Sequence, residues 1–141
     1  MSIRVVIDTN VLDSALRSSK GASFRLLSLI DSGKFQTSLS VPLVLEYEAA
    51  AEKLVSRGGL SQGDVETIID YLCNVGEHHK IYFLWRPTLK DPKDDMVLEL
   101  AVTSQADAIV TFNRGDFKGA ESFGIRIITP QQLLREIGEP I

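Results

Sequence analysis

The feature that most constrains this chain is that its apolar pattern switches repeatedly between the continuous run of a buried strand and the spacing of an amphipathic helix. Ile3–Ile7 reads as a strand, and Val11–Arg17 as a first helical piece that fades at Ser18-Ser19-Lys20-Gly21. Ala22–Asp31 is helical, with Phe24, Leu27 and Ile30 on one face and Leu26 beside them, and stops at Ser32-Gly33. Phe35–Leu39 is a second strand. Pro42 opens a long helix with Leu43, Tyr47, Ala50 and Leu54 on its inner face, since Pro is favoured in a first helical turn. Gly58-Gly59 ends that helix, and Ser61 caps another carrying Val65, Ile68, Ile69 and Leu72. Ile81–Trp85 is dense in aromatic and β-branched residues and reads as a third strand, with an extended exit at Arg86-Pro87. Asp94–Ser104 is helical, with Val97, Leu98 and Ala101 facing in. Ala108–Thr111 and Ile125–Ile128 are the fourth and fifth strands, and Thr129-Pro130 starts a closing helix through Ile137.

Strands alternating with helices predict one α/β domain over residues 1–141, in three layers α/β/α, with a mainly parallel sheet of about five strands covered on both faces. A chain of 141 residues holds one sizeable core, and 44% hydrophobic with 24% charged residues excludes a disordered chain. Arg4 breaks the only early apolar run, and no segment approaches the roughly 18 apolar residues of a membrane span. No signal peptide and no membrane partner are therefore expected, and the cytoplasm is the expected location. Cys73 is the single cysteine, which excludes an internal disulfide or a Cys-based zinc site and reads as packing. The net charge of −4, from 19 acidic and 15 basic residues, argues against a uniformly basic surface for nucleic acid. Carboxylates that hold divalent cations would weaken that argument, because the bound ions offset them.

Ligands of open parallel sheets bind beyond the carboxyl ends of the strands, so residues just after a strand are the site candidates. Four acids meet that condition or lie a turn away. Asp8 ends the first strand, Glu46 follows the second by way of Ser40-Val41-Pro42, Asp94 opens the helix after the third, and Asp116 follows the fourth. For Asp8 the competing reading is a helix cap, a role Asn10 also suits. Carboxylates gathered in one crevice repel by roughly 4 kcal/mol per close pair at an effective dielectric near 20. A cation is needed, and an all-oxygen donor set favours a hard one, Mg²⁺ or Mn²⁺. Such an ion lowers the pKa of a bound water and stabilises the charge of an in-line displacement at phosphorus.

The segments VVIDTNVL, S-x-x-L-x-x-E-Y, DPKDDMVLELA and IVTFNRGDF, in this order across nearly the whole chain, resemble a PIN domain. Within that superfamily the chain most resembles the small prokaryotic group of toxins from toxin–antitoxin systems. The resemblance implies a Mg²⁺- or Mn²⁺-dependent ribonuclease with an acidic quartet. Asp8 matches the first acid of D-T-N, and Glu46 the helical Glu six residues after the Ser. Asp94 matches the Asp seven residues before the Ala of the L-x-L-A run, and Asp116 the last acid before Phe. It also implies RNA as substrate, an antitoxin protein as partner and a homodimer.

Each acid has neighbours that compete for its role. Glu46 borders the buried face beside Tyr47, whereas Glu48 and Glu52 suit a solvated stripe with Lys53. Asp94 shares a face with Val97, Leu98 and Ala101, while Asp95 lines up with Glu99 on the outer side and Asp91 shapes the turn before Pro92. At the fourth position both Asn113 and Asp116 are open; only Asp116 supplies charge, leaving Asn113 to bond a ligand or a water. Asn10 and Thr111 are supporting candidates, Thr111 through its hydroxyl, and Arg114 is a candidate for substrate phosphate. Arg17, Lys20 and Arg25 are further possible backbone contacts. His78-His79 reads as surface or strand approach, because adjacent residues of a helix face different ways, and Trp85 as core or interface.

These readings converge on an endoribonuclease in which a cation-activated water attacks the phosphodiester with no covalent protein nucleophile. The alternative is a degenerate, non-catalytic module of the same fold that binds RNA or a partner protein. A response-regulator fold would want a phospho-acceptor Asp ending the third strand and a Lys ending the fifth, where this chain has Trp85-Arg86-Pro87 and Thr129-Pro130. A P-loop enzyme is excluded by the lack of G-x-x-x-x-G-K-[ST].

Overall fold

The computed structural model describes residues 2–81, 89 and 91–139, and the carboxyl half of the first strand is buried in its core. Val5, Val6 and Ile7 are shielded on both faces, as an unbroken apolar run requires, and β1 (Ile3–Ile7) is the middle strand of a five-stranded sheet. The order is β3-β2-β1-β4-β5, with β2 (Phe35–Leu39), β3 (Glu77–His78), β4 (Ala108–Val110) and β5 (Arg126–Ile128), and every pair is parallel. Register aligns Val5 with Thr37 and Ile7 with Val110, while Val110 aligns in turn with Ile128. The first three strands step one way from β1 and the last two step the other. The β1/β4 seam is therefore the switch point of the sheet, where crossover connections diverge and leave a crevice beyond the strand ends.

Helices α1 (Thr9–Arg17), α2 (Ala22–Ser28), α3 (Val41–Ser56), α4 (Gln62–Val75), α5 (Pro92–Thr103) and α6 (Pro130–Glu136) complete the three-layer α/β/α arrangement. Their starts follow from local chemistry. The Ser40 hydroxyl accepts from the Leu43 N–H to begin α3, and Ser61 with Asp64, and Thr129 with Gln132, form reciprocal capping boxes on α4 and α6. Pro occupies the first turns of α3, α5 and α6. No helix among the described residues is long and apolar enough to cross a membrane.

Several sequence expectations are corrected. On α2 the buried positions are Ser23 and Leu26, and Phe24 is 43% exposed. On α3 Ala51 is buried in place of Ala50. The outer face expected for Asp95 and Glu99 does not exist, because α5 is buried nearly all round from Val97 to Ala101; Glu99 is buried, and the Asp95 carboxylate accepts from the Leu89 N–H. That helix begins at Pro92, capped by Asp91, so Asp94 is its third residue and not its first. The expected third strand lies outside the described residues apart from Ile81, as do Trp85 and Arg86-Pro87. The described β3 is the shorter Glu77–His78, so His78 is itself a strand residue and is exposed, as the surface reading has it, and His79 donates its N–H to the Leu39 carbonyl.

Candidate metal centre

Asp8 sits where the central strand ends. Its backbone N–H donates to the Val110 carbonyl at 2.9 Å, so the sheet itself fixes the residue against the end of β4. Its side chain serves two elements at once. Oδ1 accepts from the Thr9 N–H at 2.9 Å, capping α1, and Oδ2 accepts from the Thr111 hydroxyl at 2.8 Å. The cap and the site role, which compete as readings of the sequence, are both met by one carboxylate.

Thr111 is completely buried and is the hub behind Asp8. While its hydroxyl donates to Asp8, the oxygen accepts from Asn10 Nδ2 at 3.2 Å and from the Asn113 N–H at 3.0 Å. Asn10 Oδ1 in turn accepts from the Phe112 N–H at 3.4 Å. The loop leaving β4 is thereby tied to the start of α1 on both sides of Phe112, and the supporting places read for Asn10 and Thr111 acquire a physical role. Asn113 joins through its backbone, and its carbonyl accepts from the Asp116 N–H.

Glu46 lies in the second turn of α3, half-buried, with Lys93 Nζ 3.7 Å from its Oε2. The next residue, Tyr47, is buried and donates its hydroxyl to the carbonyl of Ile7, the residue before Asp8. Burial, and secondarily the Asp8 charge, push the Tyr47 phenol far above its ordinary range, so it remains a donor. Asp94 is half-buried on the first turn of α5, and Asp116 is exposed on a 3-10 turn, Arg114–Phe117, whose end is anchored by the fully buried Phe117.

The four acids act on one another. Burial raises the Asp8 carboxyl above its usual value; the bonds from Thr111 and Thr9 partly offset this, and the charges of Asp116 and Glu46 raise it further. Asp94 is pushed up to about 6, first by burial and then by Asp8, Asp116, Asp91 and Asp95. The fold thus brings Asp8, Glu46, Asp94 and Asp116 into one electrostatic neighbourhood, with Asp91 and Asp95 at its margin. Of the two residues open at the fourth position, Asp116 carries the charge that Asp8 and Asp94 feel. Arg114 is exposed beside it, whereas Arg17 pairs with Asp13 and Arg25 with Glu139.

No three His, Cys, Asp or Glu side chains among the described residues form a ready-made ion cage. A hard cation such as Mg²⁺ keeps several waters and takes only one or two carboxylates directly, so a ready-made cage is not required of a site that holds one. Repelling, proton-retaining carboxylates at the switch point are the chemistry such an ion relieves. Two contributors were not singled out as site residues in the sequence. Lys93 stands in the D-P-K-D-D run one residue before Asp94, and Tyr47 carries no sign of its polar role beyond being an aromatic on the inner face of α3.

No curated protein matches the sequence at a significant level. Among solved structures, the crystal structure of VapBC2 from Rickettsia felis, bound to a DNA fragment from its promoter, is similar in fold. It is 13% identical with a TM-score of 0.58, over 89% of this chain and 98% of that one. The PIN domain family matches residues 4–115, a span that contains Asp8, Glu46, Asp94 and the Thr111 hub and stops one residue short of Asp116. The chain belongs to the PIN domain family.

Proposed function

We propose that the protein is a Mg²⁺- or Mn²⁺-dependent endoribonuclease and the toxin of a toxin–antitoxin pair. The observation that carries the reading is the placement of Asp8 at the β1/β4 switch point, held by Thr111 and Thr9, with Glu46, Asp94 and Asp116 near enough that burial and then neighbouring acids raise the carboxyls of Asp8 and Asp94. When bound, the cation lowers the pKa of a water and offsets charge developing on the phosphodiester. The chain does the rest. Asp8, Glu46, Asp94 and Asp116 hold the cation, directly or through waters. Thr111 and Asn10 keep Asp8 oriented, and Arg114 and Lys93 at the rim supply positive charge for the phosphate backbone of an otherwise acidic protein. The products carry a 5′-phosphate and a 3′-hydroxyl.

The likeness in fold to VapBC2, together with the resemblance to the toxins of toxin–antitoxin systems, supports an antitoxin protein as partner. The family resemblance adds a homodimer to the reading, and the lack of a long apolar segment in the sequence adds a cytoplasmic location. Cleavage of single-stranded and structured RNA with Mn²⁺, Mg²⁺ or EDTA tests the chemistry, and isothermal titration with Mn²⁺ tests the site. Asp8→Asn should lower the cleavage rate about a hundredfold or more while the protein stays folded. Full metal-dependent activity in that variant removes Asp8 from the site. RNA binding by the wild type with neither cleavage nor Mn²⁺ uptake establishes the non-catalytic alternative.

A further inference from the structure

Phe112 is 42% exposed although it directly follows Thr111, which is completely buried and bonded to Asp8. Its surroundings are unlike those of the other exposed aromatics on the helical layer. Phe24 and Tyr71 lie together in an apolar groove with Leu16, Leu27 and Ile68, whereas Phe112 is followed by the exposed Asn113, Arg114, Gly115 and Asp116. A single aromatic in a polar stretch is too small for a protein–protein patch, which needs a contiguous apolar area. It does match the pattern of single-stranded RNA recognition, an aromatic face for one base beside cations for the neighbouring phosphates.

The backbone at this position is also unusually well held for a surface loop. The Phe112 N–H donates to Asn10 Oδ1, and the N–H of the next residue donates to the Thr111 hydroxyl oxygen. The residue therefore leaves the site on a rail fixed by the same network that orients Asp8. Ordering that would otherwise cost conformational entropy on binding is already present.

We propose that Phe112 is the base-stacking residue of the site: it seats one unpaired base next to the scissile phosphate, and Arg114 takes a flanking phosphate. This rests on the ribonuclease reading and sharpens its substrate to RNA with an unstacked base at the cut. It implies little discrimination among the four bases, since each offers a π-face, and poor cleavage inside a continuous duplex.

The test measures binding of a fluorescein-labelled single-stranded RNA of about 12 nucleotides by anisotropy. The protein carries Asp8→Asn so that the RNA survives, and KM is measured in parallel with otherwise wild-type protein. Phe112→Ala should weaken binding and raise KM by about 5- to 100-fold, with a much smaller effect on kcat and on Mn²⁺ affinity. Phe112→Trp should bind as well as Phe or better, and Phe112→Leu, apolar but without a π-face, should behave like Ala. On an RNA of the same length with abasic sites, the difference between Phe and Ala should vanish.

Equal binding by Phe, Ala and Leu, or rescue by Leu, overturns the proposal. So does a change of self-association or partner binding in Phe112→Ala with RNA affinity intact, which would assign the residue to a protein interface. Failure of the ribonuclease reading looks different: no metal-dependent cleavage and no Mn²⁺ uptake, whatever stands at position 112.

Discussion

Asp94 shows most directly what burial, and then a gathered set of carboxylates, costs a single residue. Its carboxyl is held at about 6 against an ordinary value of 3.8, so between those values the folded protein binds a proton that the unfolded chain has released. The stability contributed by this group is present at and below pH 3.8 and is lost as pH rises through about 6. Asp94→Asn, which keeps the shape and removes the charge, should therefore raise Tm at pH 7 in EDTA, and its advantage should shrink toward pH 4. Saturating Mn²⁺ should reverse the order at pH 7, because the ion stabilises the protein in which the carboxylate is present. Scanning calorimetry of both proteins across that range, with and without Mn²⁺, checks both statements. A constant Tm difference in EDTA would mean that neither burial nor the neighbouring acids raise the Asp94 carboxyl. The place of Asp8 was legible in the sequence, since an acid after an apolar run marks a strand end, whereas Glu46, Asp94 and Asp116 needed helical spacing and the family resemblance to be singled out. Thr111 and Asn10 were legible only as candidates, because their partners stand about a hundred residues away and hydroxyl geometry leaves no periodic trace.

At the scale of elements, apolar periodicity located β1, β2, α3 and α4, while the strand expected at Ile81–Trp85 lies outside the described residues apart from Ile81. It failed where small residues decided the matter. Ala51 and Ser23 are buried by close approach of neighbouring elements, which a hydrophobicity pattern does not distinguish from the neighbouring Ala50 and Phe24. The two-residue β3 is too short for any period. Close approach also governs the junction of α4 with β3. A Cβ on Gly76, the cap residue of α4, would stand 2.5 Å from Leu39 Cδ1 and 2.8 Å from its Cγ, with the Leu72 carbonyl oxygen at 3.0 Å. Leu39 is buried at the end of β2, immediately before the Ser40 cap of the helix that bears Glu46. Gly76→Ala should cost about 1–3 kcal/mol through overpacking, outweighing the smaller gain from stiffening the unfolded chain. On the same helix, Gly63→Ala meets only Ser61 Oγ at 3.7 Å and should stabilise by about 0.5–1 kcal/mol. Urea titration of both variants gives the comparison. A neutral Gly76→Ala would mean that Leu39 yields freely and that the α4–β3 junction does not hold α3 in place.

For the molecule as a whole, the strand order matters because it puts the catalytic candidates on the least yielding part of the sheet. β1 and β4 are its third and fourth strands, with a pairing neighbour on each side, and their ends carry Asp8 and Thr111. Pairs such as Ile7 with Val110 join residues about a hundred positions apart, so they cannot form before most of the chain is ordered, nor open while it remains so. β3 is the opposite case, a two-residue edge strand that, among the described residues, is paired to β2 alone. Hydrogen exchange of the native protein should therefore separate two classes. The amides of Asp8, which bonds Val110, and of Thr111, which bonds Ile128, should exchange only with global unfolding, at the full stability of about 5–15 kcal/mol. The His79 amide, bonded to Leu39 at the edge, should exchange through local opening several kcal/mol cheaper. Raising urea should accelerate the first class with the slope of global unfolding and leave the second nearly flat until the transition begins. If Asp8 and Thr111 exchanged with the edge class, the site would sit on a locally opening seam. Its geometry would then have to be imposed by metal or RNA, and exchange with saturating Mn²⁺ would slow at those two amides and not at His79.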